Sequence, residues 1–413
     1  MKIAIVGSGI SGLVAARLLH ARHEICVYEA ADRIGGHTHT VEVSHAGETH
    51  AIDTGFIVYN EATYPLFTRL LARLGVATQA SSMSFGLSCE RSGVEWASHG
   101  LRSLFAQPGN LLRPAFLRML RDVLRFNREA RGLLEAGDEK VSLGDYLRGA
   151  RYSDAFVEHY ARPMGAAIWS ADPERLLEIP ALTFMRFFDN HGLLAANPSL
   201  AWRTIRGGSA RYLDKLVAPY REQIRTGCRV RCVRRSSDRV EILSDAGVDR
   251  FDHVVLATHS DQALALLEAP TQLERKVLGA IRYQRNDVAL HTDESILPHS
   301  PRAWASWNYR VPRDAQSRVV VTYDMSRLQS LSTRTRFLVT LNGGERIDPA
   351  QVLRRFVYHH PIFDRAAIQA QKLHLQLSGL SRTHFCGAYW GYGFHEDGVR
   401  SAIAACAPFG AGF

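Results

Sequence analysis

Residues 2–12 read Lys-Ile-Ala-Ile-Val-Gly-Ser-Gly-Ile-Ser-Gly, and this stretch decides the fold. The apolar run Ile3 to Val6 carries β-branched residues and predicts a strand buried on both faces. Gly7, Gly9 and Gly12 follow at once with G-x-G-x-x-G spacing. Gly7 permits a tight turn, Gly9 lets backbone approach a pyrophosphate, and Gly12 allows the next helix to pack closely on the strand. That helix begins at Leu13, with Leu13, Ala16 and Leu19 toward the sheet. Its N-terminus offers free N–H groups and a partial positive charge to phosphate, and Ser11 joins the same set. A second strand, Ile25 to Tyr28, ends in Glu29, twenty residues after Gly9, where a carboxylate can hold ribose hydroxyls. An acid there argues against a 2′-phosphate and hence against NADP, but does not separate NAD from FAD.

The next residues do separate them. Glu29-Ala30-Ala31-Asp32-Arg33-Ile34-Gly35-Gly36-His37-Thr38 places a glycine doublet seven residues past the ribose-binding acid. It resembles the E-A-x-x-R-x-G-G-R signature of the amine oxidase, phytoene desaturase and protoporphyrinogen oxidase superfamily. The resemblance implies non-covalent FAD, with Arg33, Gly35, Gly36, His37 and Thr38 around the cofactor. His37 stands where the family has arginine, which keeps a donor but makes its charge depend on pH. Asp53-Thr54-Gly55-Phe56-Ile57 resembles the family segment beside the flavin ring, so Gly55, Phe56 and Ile57 join the cofactor set. Thr204 to Ser209 resembles the glycine turn that opens the returning cofactor-domain helix, and Gly227 to Val230 the strand whose valine, Val230, meets adenine. Phe251 to Thr258 is the apolar strand that follows. Phe385 to Ala388 and Glu396 to Val399 resemble the C-terminal flavin motif and add Gly387, Gly398 and Val399. There a helix beginning near Val399 would point its N-terminus at the flavin and stabilise the reduced anion.

The expected fold is α/β, a Rossmann-like FAD-binding domain of the glutathione-reductase-2/amine-oxidase type with an inserted substrate domain. The family layout implies residues 1–60, 202–270 and 376–413 for the cofactor domain, and 61–201 and 271–375 for the substrate domain. The first insertion reads as mostly helical, and the second holds strand-like runs such as VALHT and RVVVTYDM. RGGSAR and LNGGER lack the spacing of a second nucleotide fingerprint, so flavin reoxidation by oxygen, a quinone or a partner protein is expected.

Within the superfamily, GGHTHTVEV, DTGFIVYNEATYPLF, WASWNY and YWGYGFHEDGVRSA resemble a bacterial group of "predicted NAD/FAD-binding proteins". Relatives of that group accompany, or are fused to, cyclopropane-fatty-acyl-synthase-like methyltransferases. This association implies a lipid acyl substrate and a methyltransferase partner. Amine oxidases place a lysine near the flavin on the strand here represented by Tyr283 to Thr292, which contains none. The expected function is therefore FAD-dependent redox chemistry on an apolar, fatty-acyl substrate. Amine oxidation, isomerisation and a non-catalytic partner role stand as alternatives. Tyr389, Trp390, Tyr392 and Phe394 form an aromatic cluster where substrate should meet flavin. His395 is the first candidate base and Glu396 the second, with Trp390 and Tyr392 beside them; His395 has the alternative of bonding the cofactor or capping the helix. His291 with Asp293 could also handle protons, and Trp304, Trp307 and Tyr309 either wall the pocket or fill core.

Composition sets the remaining limits. The chain has 413 residues and a formal net charge of +9, with only five lysines, so arginine supplies most of the positive charge. No basic block with interleaved aromatics reads as a nucleic-acid motif. Six scattered cysteines predict neither a metal site nor disulfides. The opening IAIVGSG is broken by glycine too early for a signal peptide, and a soluble cytoplasmic protein is expected. Arg118, Arg121, Arg125 and Arg128 recur at steps of three and four along Phe116 to Arg131. This helix reads either as a basic membrane-peripheral face or as a surface helix with solvated arginines.

Overall fold

The computed structural model describes residues 1–194, 200–313 and 318–412. Ile3, Ala4 and Ile5 are wholly buried because the strand Lys2–Val6 has neighbours on both edges and layers on both faces. It pairs in parallel with Glu24–Tyr28 on one side and with His253–Leu256 on the other. Ile224–Arg225 and Thr383–Phe385 complete the sheet, whose five strands all run parallel. One chain thus returns to the same sheet from sequence regions far apart.

On one face lies the helix Ile10–Leu19, buried along nearly its whole length. It packs with the C-terminal helix His395–Cys406 through Leu13, Val14, Ala16, Val399, Ala402 and Ala405. The alanines among them let the helices approach closely. On the other face, Ala4, Val6, Tyr28 and Leu256 meet a three-stranded antiparallel sheet of Val230–Arg235, Val240–Ser244 and Gly247–Phe251. The stretch expected as one strand from Phe251 to Thr258 is divided. Phe251 ends the hairpin, and the parallel strand is His253–Leu256. The carboxylate of Asp252 between them accepts the Lys2 backbone N–H at 2.7 Å, which pins the change of direction.

A second, seven-stranded sheet runs in the order Val352–Pro361, Tyr283–His291, Leu338–Leu341, Val320–Asp324, Trp307–Val311, Phe85–Cys89, Val94–Ala97. Pairing is antiparallel except between Trp307–Val311 and Phe85–Cys89. The described residues of 61–201 are largely helical, but Thr78–Ala80, Phe85–Cys89 and Val94–Ala97 are strands. Gly86 reads as a strand breaker, yet its missing side chain is what the packing needs. A Cβ there would stand 2.7 Å from the Ala303 carbonyl oxygen. The helix Pro114–Ala136 covers this sheet's core with Phe116, Met119, Phe126 and Ala130. Behind it the helix Ala181–Asn190 stacks Phe184 and Phe188 on each other at 4.2 Å, within 6.2 Å of Phe126.

Candidate functional site

The glycine fingerprint forms a tight cradle. Gly7 has φ +103, and a Cβ on it would meet the Ala257 carbonyl oxygen at 2.8 Å. A Cβ on Gly12 would overlap the Gly7 carbonyl oxygen at 2.0 Å. Gly9 differs: a Cβ there would meet no protein atom within 4 Å. Space therefore lies in front of the residue whose backbone must approach phosphate. Gly9 is also the N-cap of Ile10–Leu19 and makes no side-chain cap bond, and the first turn holds no acid. Its backbone donors and partial positive charge face that space, so the donor set suits a pyrophosphate.

Glu29 closes the second strand, where Ser8 backbone N–H (3.0 Å), Ser8 hydroxyl (2.5 Å) and Ala31 N–H (2.9 Å) fix its carboxylate. The glycine doublet crosses directly over the fingerprint. Gly35 N–H donates to the Ser8 carbonyl at 2.9 Å, and a Cβ on Gly36 would come 3.2 Å from Gly9 Cα. Arg33 holds this loop by donating to the carbonyls of Gly36 and Thr38 at 2.9 and 3.4 Å. His37 keeps a buried Nε2 without a hydrogen-bond partner. Burial, with the positive field of His259, Arg33 and His359, pushes its imidazole down to about 3. An orphaned buried nitrogen beside the phosphate cradle is the other feature that fits FAD.

Segments far apart converge behind the doublet. Phe56 N–H donates to the His37 carbonyl at 2.7 Å, and a Cβ on Gly55 would overlap that same oxygen at 2.1 Å. The Ile57 carbonyl accepts from Thr204 at 2.9 Å. Asp53 gathers Thr40 hydroxyl at 2.5 Å and Ser209 N–H and hydroxyl at 2.9 and 2.8 Å. Burial raises this carboxyl to about 6. Val230 begins a strand beside Tyr28 and Cys228, at the sheet face away from the C-terminal helix. Gly387 N–H donates to Ser401 at 3.0 Å, Gly398 packs on Ile10, and Val399 is buried in the core beneath.

The C-terminal helix starts at His395, four residues earlier than the position near Val399 expected from sequence. Asp397 accounts for the difference, because its carboxylate accepts the N–H groups of Tyr392 and Phe394, each at 3.1 Å, and so organises the entry loop. The four catalytic candidates fall in separate environments. His395 Nε2 lies 3.0 Å from Thr38 Oγ1 and 3.2 Å from the Tyr212 hydroxyl, and its ring stacks on Phe56 at 3.7 Å. Burial pushes it down to about 3. Glu396 receives Leu66 N–H at 3.1 Å and Phe67 N–H at 3.0 Å, so it caps the helix Pro65–Arg73 from a distance. Trp390 stacks on His374 at 4.1 Å and packs on the nucleotide-side core with Tyr389. Tyr392, by contrast, lies 5.6 Å from Phe187 on the substrate side.

The sequence-level aromatic cluster therefore divides in two, and its substrate half recruits residues not singled out beforehand. Phe394 stacks on Phe187 at 5.4 Å, His191 stacks on Phe187 at 3.9 Å, and Trp202 faces His191 at 6.4 Å. The aromatic density of FMRFF, residues 184–188, was the available signal. His291 is occupied elsewhere: its Nε2 bonds Thr340 and its Nδ1 accepts Asp293 N–H, deep in the second sheet. Tyr309 is buried core, and Trp304 donates to the Pro298 carbonyl at 2.7 Å.

Residues 10–408 match the family model for flavin containing amine oxidoreductases. A Mycobacterium tuberculosis protein described as a flavin-containing monoamine oxidase is 25% identical over 266 residues, covering 62% of this chain and 56% of its own. The carotenoid phi-ring synthase of Streptomyces griseus is 28% identical over 304 residues, covering 66% and 54%. The chain thus spans about half the length of these curated relatives. Among solved structures, a CLA-producing fatty acid isomerase from P. acnes superposes with a TM-score of 0.71 at 14% identity, covering 98% of both chains. That likeness concerns the fold alone. With the family model spanning nearly the whole chain and a cradle built for a dinucleotide, the protein belongs to the flavin containing amine oxidoreductase family and its cofactor is FAD.

Proposed function

We propose that the chain is an FAD-dependent oxidoreductase acting on an apolar substrate of the fatty-acyl class, by dehydrogenation or a related C–C/C=C reaction. One observation carries the reading: all five lysines, at positions 2, 140, 215, 276 and 372, are exposed, so none can stand buried beside a flavin. The strand Tyr283–His291, where an amine oxidase of this type holds that lysine, turns Asn286, Val288 and Leu290 into the interior instead. The wall next to the C-terminal motif is aromatic, formed by Phe187, His191, Trp202, Tyr392 and Phe394. Such a surface accommodates hydrocarbon. Two neighbours carry names in keeping with this, a carotenoid ring synthase and a fatty acid isomerase, while a third is described as a monoamine oxidase.

Bound FAD supplies a two-electron acceptor for hydride. The chain must place the substrate C–H bond, exclude water and take up the second proton. Aromatic packing at the wall serves the first two tasks. For the third, His191 is the best-placed group. Its Nδ1 lies 2.9 Å from the Phe187 carbonyl, which can only accept, so Nδ1 donates and Nε2 is the basic nitrogen. Burial holds the ring neutral by pushing it down to about 4. The Nε2 of His395, by contrast, is bonded to two hydroxyls, so position and not basicity favours His191.

Anaerobic titration of the purified holoprotein tests the reading. Unsaturated phospholipid or free fatty acid should bleach the flavin absorbance, and His191→Phe should slow the bleaching with flavin content unchanged. Bleaching by primary amines or polyamines, with peroxide released in air, would assign amine oxidation instead. Double-bond migration without net reduction would assign isomerisation.

A further inference from the structure

Five of the large apolar side chains that stand exposed on this protein fall between residues 101 and 124: Leu101, Leu111, Leu112, Leu117 and Leu124. Leu101, Leu112 and Leu124 are 75%, 86% and 65% exposed, far more than incidental surface apolarity requires. They are not loosely held. Phe105 packs on Phe116 at 6.0 Å, and the Asn110 side chain donates to the Glu95 carbonyl at 3.0 Å. These contacts fix the short helices Leu101–Leu104 and Pro108–Leu112 against the start of Pro114–Ala136, with Leu101, Leu111 and Leu112 outward.

Arginines share the same face. Leu117, Arg121, Leu124, Arg128 and Arg131 follow each other at steps of three and four along Pro114–Ala136, and all are exposed. Leucines and arginines thus alternate along one exposed row. Of Leu117, Leu120 and Leu124 only Leu120 turns toward the core, and Arg125 leaves the row to pair with Glu129 at 2.9 Å and lie over Tyr152. Residues 101–133 contain seven arginines and only two acids, Asp122 and Glu129. Asp122 is buried and accepts from Ser153, and Glu129 accepts from Arg125 and Tyr152. Among the described residues Arg118, Arg121, Arg128 and Arg131 form no ion pair. No carboxylate among the described residues stands within ion-pair distance of these four.

We propose that this face is a docking surface for an anionic lipid bilayer. Leucines of this exposure enter the headgroup–acyl boundary, while the arginines remain at the level of the lipid phosphates. An acidic protein would complement the arginines but leaves five protruding leucines without a reason at a rim. A second copy of this chain would bring arginine against arginine. The surface also lies one helix away from the aromatic wall. Phe126 of Pro114–Ala136 packs on Phe184 and Phe188, and the same helix Ala181–Asn190 offers Phe187 to Tyr392 and Phe394. Docking here would set that wall close to the bilayer, although the inference stands without any assumption about substrate.

The experiment is co-sedimentation of the holoprotein with phosphatidylcholine vesicles prepared with and without phosphatidylglycerol, at low and high salt. The wild type should bind the anionic vesicles and be released by salt. The combined variant Arg118→Gln/Arg121→Gln/Arg128→Gln should weaken binding roughly a hundredfold, with melting temperature and flavin content unchanged. The pair Leu112→Ser/Leu124→Ser should weaken it while leaving the salt dependence in place. A wild type that stays in the supernatant, or an arginine variant that binds as well as the wild type, would overturn the proposal. So would a dimer in light scattering that the leucine pair converts to monomer without vesicle binding, which would make the face a contact between copies.

Discussion

The imidazole Nε2 of His395 lies 3.0 Å from the hydroxyl of Thr38, across a separation of 357 residues. Tyr212 joins both, at 2.6 Å from Thr38 and 3.2 Å from His395. This buried triangle fastens the first residue of the C-terminal helix to the glycine doublet and to the helix Ala210–Val217. It connects three of the segments that the cofactor requires to be in register, and it occupies the Nε2 of His395.

His395 is accordingly expected to act on assembly. His395→Ala removes a ring stacked on Phe56 and bonded to two hydroxyls, so it should lower stability by about 2–4 kcal/mol and reduce flavin retention. Urea unfolding and the flavin-to-protein absorbance ratio report both effects. Wild-type stability and flavin content combined with lost turnover would restore His395 as the base.

Glu396 presents a similar choice with a different outcome. Its carboxylate bonds the N–H groups of Leu66 and Phe67, where Tyr64 provides no side-chain cap for Pro65–Arg73. Glu396→Gln keeps acceptor oxygen but loses the charge at a helix N-terminus, so about 1–2 kcal/mol of stability should go. Flavin reduction per molecule of folded holoprotein should stay within twofold of wild type. A collapse of the reduction rate at unchanged melting temperature would contradict the capping role.

The glycines of the fingerprint separate folding from cofactor binding. Gly12→Ala forces a Cβ to within 2.0 Å of a backbone oxygen that cannot move without opening the strand–helix turn. It should leave little soluble protein. Gly9→Ala meets nothing within 4 Å, so the chain should fold and melt as a single unit, yet emerge colourless because the methyl group occupies phosphate space. Equal flavin content in Gly9→Ala and wild type would move the pyrophosphate elsewhere.

Much of this site was legible because its parts are local. Strand, glycine turn, helix and acid lie within residues 2–29, and each position has a reason that backbone geometry alone supplies. The start of the C-terminal helix was misplaced because a remote pairing decides it: Asp397 bonds backward to residues 392 and 394. Glu396 looked like a base because nothing in its neighbourhood of sequence reveals Leu66 and Phe67. His191 was passed over for the converse reason, since its aromatic surroundings come from three separate segments. Charge and aromatic type are readable from sequence, whereas the partner that consumes or frees a group is set by tertiary contact.

The acid response follows from the buried histidines. His37, His39, His191, His259, His291, His360, His384 and His395 are all held at about 3 or about 4 in the folded chain, chiefly by burial. The ordinary histidine value is 6.5. A depressed native value means that the unfolded chain binds the proton more readily. The stability these groups contribute is therefore complete above 6.5 and drains away as pH falls toward 4. Asp53 and Asp397, raised to about 6, act in the opposite sense: their contribution is complete below 3.8 and lost as pH rises through 6. Two groups against eight leave the histidines dominant. The melting temperature should hold a plateau above neutrality and fall steeply between roughly pH 6 and pH 5, with several protons taken up on unfolding. His291, bonded to Thr340 away from the cofactor cradle, offers a local check. His291→Gln should remove about one proton from that uptake while preserving flavin content. A melting temperature that stays level from pH 7 to pH 5 would show that the buried imidazoles are hydrated or charged in the native protein.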